Sequence, residues 1–426
     1  HDQEVHARPL HPIHTPPGSH PMMALALAVA VAFVLLILAV PCITLAVQVL
    51  GRWLSPTEEA PTQGHPSKHD RASLAVLIPA HNEEAGIART IQSVRPQLGP
   101  NDRMVVVADN CNDQTAAMAR ALGAEVIERT HQTLRGKGHA LDFGVRHLAL
   151  NPPDQVLMLD ADCKLWPGSL DTLRQACTTQ QGPVQACDLM QAQPDSALTT
   201  KVAAFAWLVK NKVRPMGGAR WGWPCQLMGT GMIFPWSVIS TAPLASGHLA
   251  EDMQLGAHLA LSGHMPVYCG NALVTSTFPD SKEAIASQRK RWEHGHLSMI
   301  LELGLPLLGQ AVVRRDWRLL GMALDMCVPP LSSLVMLALT SVFACLVMWA
   351  FGMAGSGLLT GWAGLNLALL CWAVTLSWRL EGRHVLTLKE LSSVPMYMLS
   401  KLSIYASFIS RRQTQWIRTK REEGES

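Results

Sequence analysis

The feature that most limits what this chain can become is an uncharged run from Met22 to Leu50, MMALALAVAVAFVLLILAVPCITLAVQVL. A helix needs roughly 20 apolar residues to cross the hydrocarbon of a bilayer, and this run exceeds that. It has neither the basic leading region nor the short core of a secretory signal, and no small-residue cleavage site follows cleanly. It therefore predicts a transmembrane helix over residues 22–50, with Pro41 placed to kink it. Whatever folds in water must lie after this anchor and before apolar stretches return near Leu319.

Those later stretches predict two further spans within residues 319–380: Leu331 to Phe351, entered at Pro329-Pro330, and Leu358 to Trp378. Lys and Arg collect on the cytosolic side of membrane spans. If the first span runs outside to inside, Ser73 to about Arg318 is cytosolic, and Arg379 and Arg383 return to the same side. In residues 381–426, Leu391–Ile409 is followed by RRQTQWIRTKR. It reads either as an interfacial amphipathic helix held on anionic membrane lipid or as another span. The apolar share of 48% against 16% charged residues reflects these segments. Residues 1–21, Pro-rich and carrying His1, His6, His11, His14 and His20, read as a disordered leader, with a weak metal tract as the alternative. Residues 51–72 read as a polar linker.

Between anchor and spans the texture changes. SLAVLIPA (Ser73–Ala80), MVVVAD (Met104–Asp109), AEVIER and QVLMLDAD (Gln155–Asp162) are strand-like, and helical spacing separates them. Alternating strands and helices predict an α/β domain over residues 73–280 with a mostly parallel sheet. Such sheets place ligands beyond the carboxyl ends of their strands. The polar residues sit there: His81-Asn82-Glu83-Glu84, Asp109-Asn110 and Asp160-Ala161-Asp162. A net charge of +3, without a basic stripe interleaved with aromatics outside the membrane-proximal parts, argues against nucleic acid. Ten cysteines with no CxxC pair read as reduced thiols. No GxGxxG follows the first strand, which argues against a dehydrogenase-like domain.

Taken singly, the candidate motifs are weak. Two carboxylates two apart at a strand end, Asp160 and Asp162, project to one side and suit a hard divalent cation with substrate phosphates. Glu251-Asp252 would equally suit a helix N-terminus. Taken in order, VLIPAHNEE (76–84), VVADNCNDQT (106–115), RGKGHALDFG (135–144), LDADC (159–163), LMGTGMIF (227–234), LAEDMQLG (249–256) and QRKRW (288–292) make the chain resemble a membrane-bound family 2 glycosyltransferase, of the cellulose, chitin and hyaluronan synthase-like branch.

That resemblance implies a GT-A-type nucleotide-sugar domain with transmembrane and interfacial helices. It places Asn82 and Glu83 or Glu84 near the nucleoside, Asp109 on the base, Lys137 at the nucleotide, and Asp160 by the ribose or donor sugar. Asp162 is the implied ligand of Mg²⁺ or Mn²⁺. Asp252 is the implied base, beside Glu251, although the family's Thr before this pair is Ala250 here, which puts acceptor positioning in doubt. Gly229 is implied on the acceptor side. Residues 281–318 are expected to be interface helices carrying QRKRW. There Gln288, Arg291 and Trp292 share one helical face, with Arg291 at the departing diphosphate and Trp292 at the acceptor. Trp221 and Trp223 read equally well as sugar platforms or as packing.

The expected reaction is inverting, metal-dependent transfer from a UDP-sugar to a glycan or lipid-linked acceptor at the cytosolic face of a bacterial inner membrane, in polysaccharide synthesis. Two readings stay open: a polymerase helped by a homo-oligomer or an export partner, and a single-addition transferase on a polyprenyl-linked acceptor. A non-catalytic nucleotide-sugar-binding scaffold is the third alternative.

Overall fold

The computed structural model describes residues 20–55, 71–193, 195–246, 250–278 and 292–399. Most of the leader and of the 51–72 linker, Gln288, Arg291 and the basic tail lie outside these residues.

Eight strands among the described residues form one sheet: β1 Leu74–Ala80, β2 Arg103–Asp109, β3 Glu125–Arg129, β4 Gln155–Met158, β5 Lys164–Leu165, β6 Val184–Gln191, β7 Met232–Pro235 and β8 Val267–Thr277. Their order is β3-β2-β1-β4-β7-β6-β8-β5. β3, β2, β1 and β4 are parallel, β7 runs against β4 and β6, and β8 is parallel to β6. β1 and β2 are almost wholly buried, which is why they read as continuous Val/Ile/Leu runs rather than alternating ones. Helices Ile87–Val94 and Ser169–Gln180 cover one face through Ile87, Ile91, Leu170 and Leu173. Helices Lys137–Leu148 and Glu251–Leu261 cover the other through Leu141, Val145, Leu255 and Leu259. Gly144 lets the first of these lie directly on the sheet, since a Cβ there would come within 2.4 Å of Leu77.

One strand is shorter than its sequence implies. Hydrogen bonding as a strand ends at Met158, so Asp160 and Asp162 lie in the turn beyond β4, not on it. Strand alternation therefore does not align these carboxylates; the turn does. Chain order reverses between β1 and β4, and this turn and the loop after β1 flank that reversal, where open α/β sheets bind ligands.

Among the described residues, four helices are long and apolar enough to cross a membrane: Met22–Leu54, Trp292–Arg314, Leu331–Ala350 and Ser356–Gly382. The first packs on Ser356–Ser377, where Asn366 Nδ2 donates to the Leu35 carbonyl at 3.2 Å. The Trp292–Arg314 helix buries Met299, Leu307 and Ala311 against Met253, Ala257 and Ala260 of the globular domain. Its other face exposes Leu301, Leu305, Val312 and Val313.

The first helix is joined to the globular domain by a close crossing. A Cβ on Gly217 would sit 1.7 Å from the Gln48 carbonyl, and one on Gly51 would sit 2.4 Å from the Gly217 carbonyl. Beside the crossing, Arg52 and Lys212 both ion-pair with Glu381. Trp221 Nε1 donates to the Val47 carbonyl at 2.9 Å, while Trp223 is buried against Gly321. Trp221 thus packs this junction and Trp223 packs against helix Trp317–Met326, so both serve packing rather than a sugar platform. Gly217→Leu should force the helices apart and cost about 1–3 kcal/mol, the usual range for overpacking. Thermal unfolding in detergent reads it, and an unchanged midpoint would show that the crossing carries no strain.

Candidate active site

The loop after β1 is folded onto the loop after β2. The Glu83 N–H donates to Thr115 Oγ1 at 2.8 Å, and the Asn112 N–H donates to Asn82 Oδ1 at 2.8 Å. Glu84 Oε2 accepts from the Gln114 N–H at 2.9 Å. Asn82 and Asn110 take positive φ, 53° and 52°, a region Asn tolerates better than other side chains. Asp109, 6% exposed, ends β2. Its Oδ1 accepts from Arg129 at 2.5 Å and from Asn110 Nδ2 at 3.0 Å. Both bonds fall on Oδ1, which leaves Oδ2 as the oxygen suited to a ring N–H.

A second cluster closes over the end of β4. Lys137 opens its helix after Gly136, ion-pairs with Asp160, and donates to the Gly229 carbonyl at 2.8 Å. Gly229 has φ 90°, and a Cβ there would lie 3.4 Å from both Lys137 Nζ and Asp252 Oδ2. Gln185 holds this glycine loop, accepting from the Met228 N–H at 2.8 Å and donating to the Thr230 carbonyl at 2.9 Å. Thr230 Oγ1 accepts from the Asp160 N–H at 3.0 Å. Lys137, Asp160, Gly229 and Asp252, spread over 116 positions of chain, therefore meet at one point, 252 − 137 + 1 = 116.

The electrostatics follow from burial. Desolvation raises the Asp252 carboxyl, opposed by the Lys210 and Lys137 charges. Glu251, beside it at the start of helix Glu251–Leu261, is raised by desolvation and then by Asp252. Desolvation also raises Asp160 against the pull of Lys137. Lys137 itself goes up, because Asp160, Glu251 and Asp252 outweigh the desolvation that would lower it. It stays a cation.

Ligand atoms of Asp160, Asp162 and Cys163 lie within 4.8 Å of one another. Burial raises the Cys163 thiol far above its ordinary value, and it donates to Asp162 Oδ1 at 3.6 Å; a soft thiol is a poor partner for a hard cation, which leaves the carboxylates as the matching ligands. What remains is a hard, oxygen-only donor set, which suits Mg²⁺ or Mn²⁺ completed by phosphate oxygens.

Several site residues carry no sequence motif. Arg129 fixes Asp109. Lys210 feels Asp252 electrostatically and lies 5.3 Å over the Trp207 ring. It sits in a π-helical turn, Val209–Val213, a wide turn often found at functional sites. Trp207 in turn meets Trp292, ring centroids 4.6 Å apart. Trp292 is the one QRKRW site residue among those described. His294, two positions on, is fully buried.

The chain is 37% identical over 93 residues to 4,4'-diaponeurosporenoate glycosyltransferase of Staphylococcus aureus (strain USA300), a match covering 21% of this chain and 24% of that one. Among solved structures, it is similar to a mannosyltransferase from Pyrobaculum calidifontis in complex with GDP-Man and Mn²⁺, with TM-score 0.49 and 18% identity over 84% of this chain and all of the other. It is also similar to glucosyl-3-phosphoglycerate synthase from Mycobacterium tuberculosis in complex with Mn²⁺, UDP and its product, with TM-score 0.39 and 20% identity over 57% of this chain and 86% of that one. The model of the "Glycosyltransferase like family 2" family matches residues 71–295, more than half of the chain and nearly all of the motifs that meet at the sheet edge; the chain belongs to the family 2 glycosyltransferases.

Proposed function

We propose that the protein transfers a sugar, with inversion, from a UDP-sugar to an acceptor presented at the cytosolic face of a membrane. The observation that carries this is the meeting of Lys137, Asp160, Gly229 and Asp252 beside the Asp162 turn. Asp109 accepts from the base, and the Asn82–Glu84 loop lines the nucleoside. Asp162 would hold Mg²⁺ or Mn²⁺. The ion when bound offsets charge on the departing diphosphate. Lys137, held charged by Asp160, orients the nucleotide. Asp252 takes the proton from the acceptor hydroxyl as its oxygen attacks the anomeric carbon from the side opposite the leaving diphosphate, which departs with the electron pair of the broken bond. A raised carboxyl suits that role, since a base works best near the operating pH. Arg291 and Gln288 keep the diphosphate and acceptor roles implied by QRKRW, and Trp292 forms part of the acceptor wall.

A single addition to a lipid-linked acceptor is favoured over polymer synthesis by the apolar surroundings of Trp292 and Lys210, described below. The staphylococcal relative, named for transfer to diaponeurosporenoate, is consistent with a discrete acceptor. The test uses the full chain purified in detergent with Mn²⁺, a panel of UDP- and GDP-sugars and a lipid extract. UDP release should need both metal and a UDP-sugar, fall to background with EDTA, and return with excess Mn²⁺. Mass spectrometry of the product should show one added sugar; a ladder would favour the polymerase, and turnover in EDTA would remove the metal from the reaction.

A further inference from the structure

A cavity of about 160 Å³ is lined by Lys210, whose charge acts on the candidate base Asp252. Most of its lining is apolar and comes from two sources. Val202, Phe205 and Ala206 come from the globular domain's helix Leu198–Leu208, and Leu45, Val335 and Val374 from helices apolar enough to cross a membrane. The rest of the lining is of another kind. Trp207, Trp292 and Lys210 contribute to it, with the two rings 4.6 Å apart and the Lys210 ammonium 5.3 Å over Trp207. No carboxylate among the described residues ion-pairs with Lys210, in contrast to Arg214, which also lines the cavity and is held by Asp325 at 2.7 Å. His296, 6% exposed, lines the same space with its Nε2 unpartnered. The cavity thus combines hydrocarbon-like walls from apolar helices with a few polar groups, Lys210, Arg214, Glu293 and His296, among which Lys210 is a cation with no carboxylate ion-paired to it among the described residues.

We propose that this cavity holds the hydrocarbon chain of a lipid acceptor whose anionic head group, a carboxylate or a phosphate, meets Lys210. The inference rests on the transferase reading above and adds no bond-making step to it. Continuity argues for the occupant: the walls are shared with helices of membrane length, so a lipid can enter from the bilayer without exposing its chain to water. Charge complementarity argues for the head group, because a half-buried ammonium that faces a ring and has no carboxylate ion-paired to it gains a charge-assisted bond from an anion. The paired tryptophans present apolar faces to the chain and polar edges to the head.

The probe is diazirine-bearing palmitic acid, with a phosphate ester and a neutral alcohol of the same chain as comparison arms, added to the full chain in detergent without nucleotide. Photolabelling should map to Leu198–Leu208 and to the helix beginning at Trp292. Ala206→Trp, which fills the cavity, should lower labelling by all three at least about tenfold, the loss of roughly two buried methylenes. Lys210→Met, which keeps an unbranched side chain, should lower labelling by the acid and the phosphate severalfold and spare the alcohol. Of the two anionic arms, the more strongly labelling one names the head-group chemistry. Labelling confined to outward residues such as Phe33 and Phe343, or undiminished in Ala206→Trp, would overturn the proposal. So would equal losses by all three probes in Lys210→Met. UDP-sugar binding with Mn²⁺ is measured on every variant as a folding control. Cavity labelling in a protein that binds no nucleotide sugar would refute the transferase reading alone, and donor binding without cavity labelling would refute the cavity alone.

Discussion

Asp252→Asn is expected to lower turnover by about 10²–10⁴-fold, the range for losing a positioned base, with little change in affinity for UDP. The substitution is nearly isosteric. Asp252 Oδ1 accepts from the Met253 N–H at 2.9 Å, and an amide oxygen can keep that bond. What is lost is the ability to hold a proton. Glu251 is no substitute in place, because it is Asp252 Oδ2 that lies against the Gly229 loop. Glu251→Gln should therefore cost less than Asp252→Asn. Steady-state UDP release gives the first quantity and calorimetric titration with UDP and Mn²⁺ the second. A variant that turned over within a few-fold of the parent would remove Asp252 from the base role. A variant that failed to bind UDP would instead show that its charge serves the donor.

The second large effect is structural. Asp325 ends helix Trp317–Met326 and gathers three chains of contact. Gln48 Nε2 donates to Oδ1 at 2.6 Å, Arg214 Nη2 to Oδ1 at 2.7 Å, and Gln226 Nε2 to Oδ2 at 2.5 Å. Burial alone would raise this carboxyl; the Arg214 guanidinium and the two amides outweigh it and hold it below its ordinary value. Asp325→Ala leaves the Arg214 charge, 5% exposed, without its counter-ion. Breaking a buried pair from one side costs about 3–5 kcal/mol, whereas replacing both partners with apolar groups can be nearly neutral. The expected result is a large fall in the unfolding midpoint for Asp325→Ala, and a much smaller one for Asp325→Leu with Arg214→Met. A double variant as unstable as the single one would show that the amides, not the ion pair, carry the stability.

How much of this was legible beforehand depends on the distance over which information had to travel. The strands β1 to β4 were readable because buried parallel strands leave continuous apolar runs. Their ligand-facing ends were readable because carboxylates and Asn-Glu turns interrupt those runs. Asp160, Lys137 and Gly229 were each marked by a local pattern, and the structure brings them together. Lys210, Trp207 and Arg129 were not readable. None is marked by a local pattern: Lys210 joins the site through the electrostatic pull between it and Asp252, Trp207 through its ring contact with Trp292 and Arg129 through its ion pair with Asp109, partners 42, 85 and 20 positions away, 252 − 210, 292 − 207 and 129 − 109. For the two tryptophans at 221 and 223 a sugar platform and packing stood equally open in the sequence, and only the contacts with the first helix and with Gly321 show what they cover. The Asp160–Asp162 pair was assigned to a strand because LDAD continues the apolar run, yet the ladder stops at Met158 and a turn does the positioning.

The wide turn at Val209–Val213 sets a condition on chain length. Upstream of it Trp207 must meet Trp292, and downstream Arg214 must meet Asp325 while Gly217 meets Gln48. One residue of α-helix is about 100° of rotation. A π-turn holds one residue more than an α-turn, so deleting a single residue here would let it close to an ordinary α-turn with the flanking segments still in phase, whereas deleting one from the α-helical segments on either side would rotate the aromatic wall against the Asp325 and Gln48 anchors by about that angle. The wide turn thus takes up one residue of extra length while one continuous rod still answers to the Trp292 wall at one end and to an apolar helix at the other.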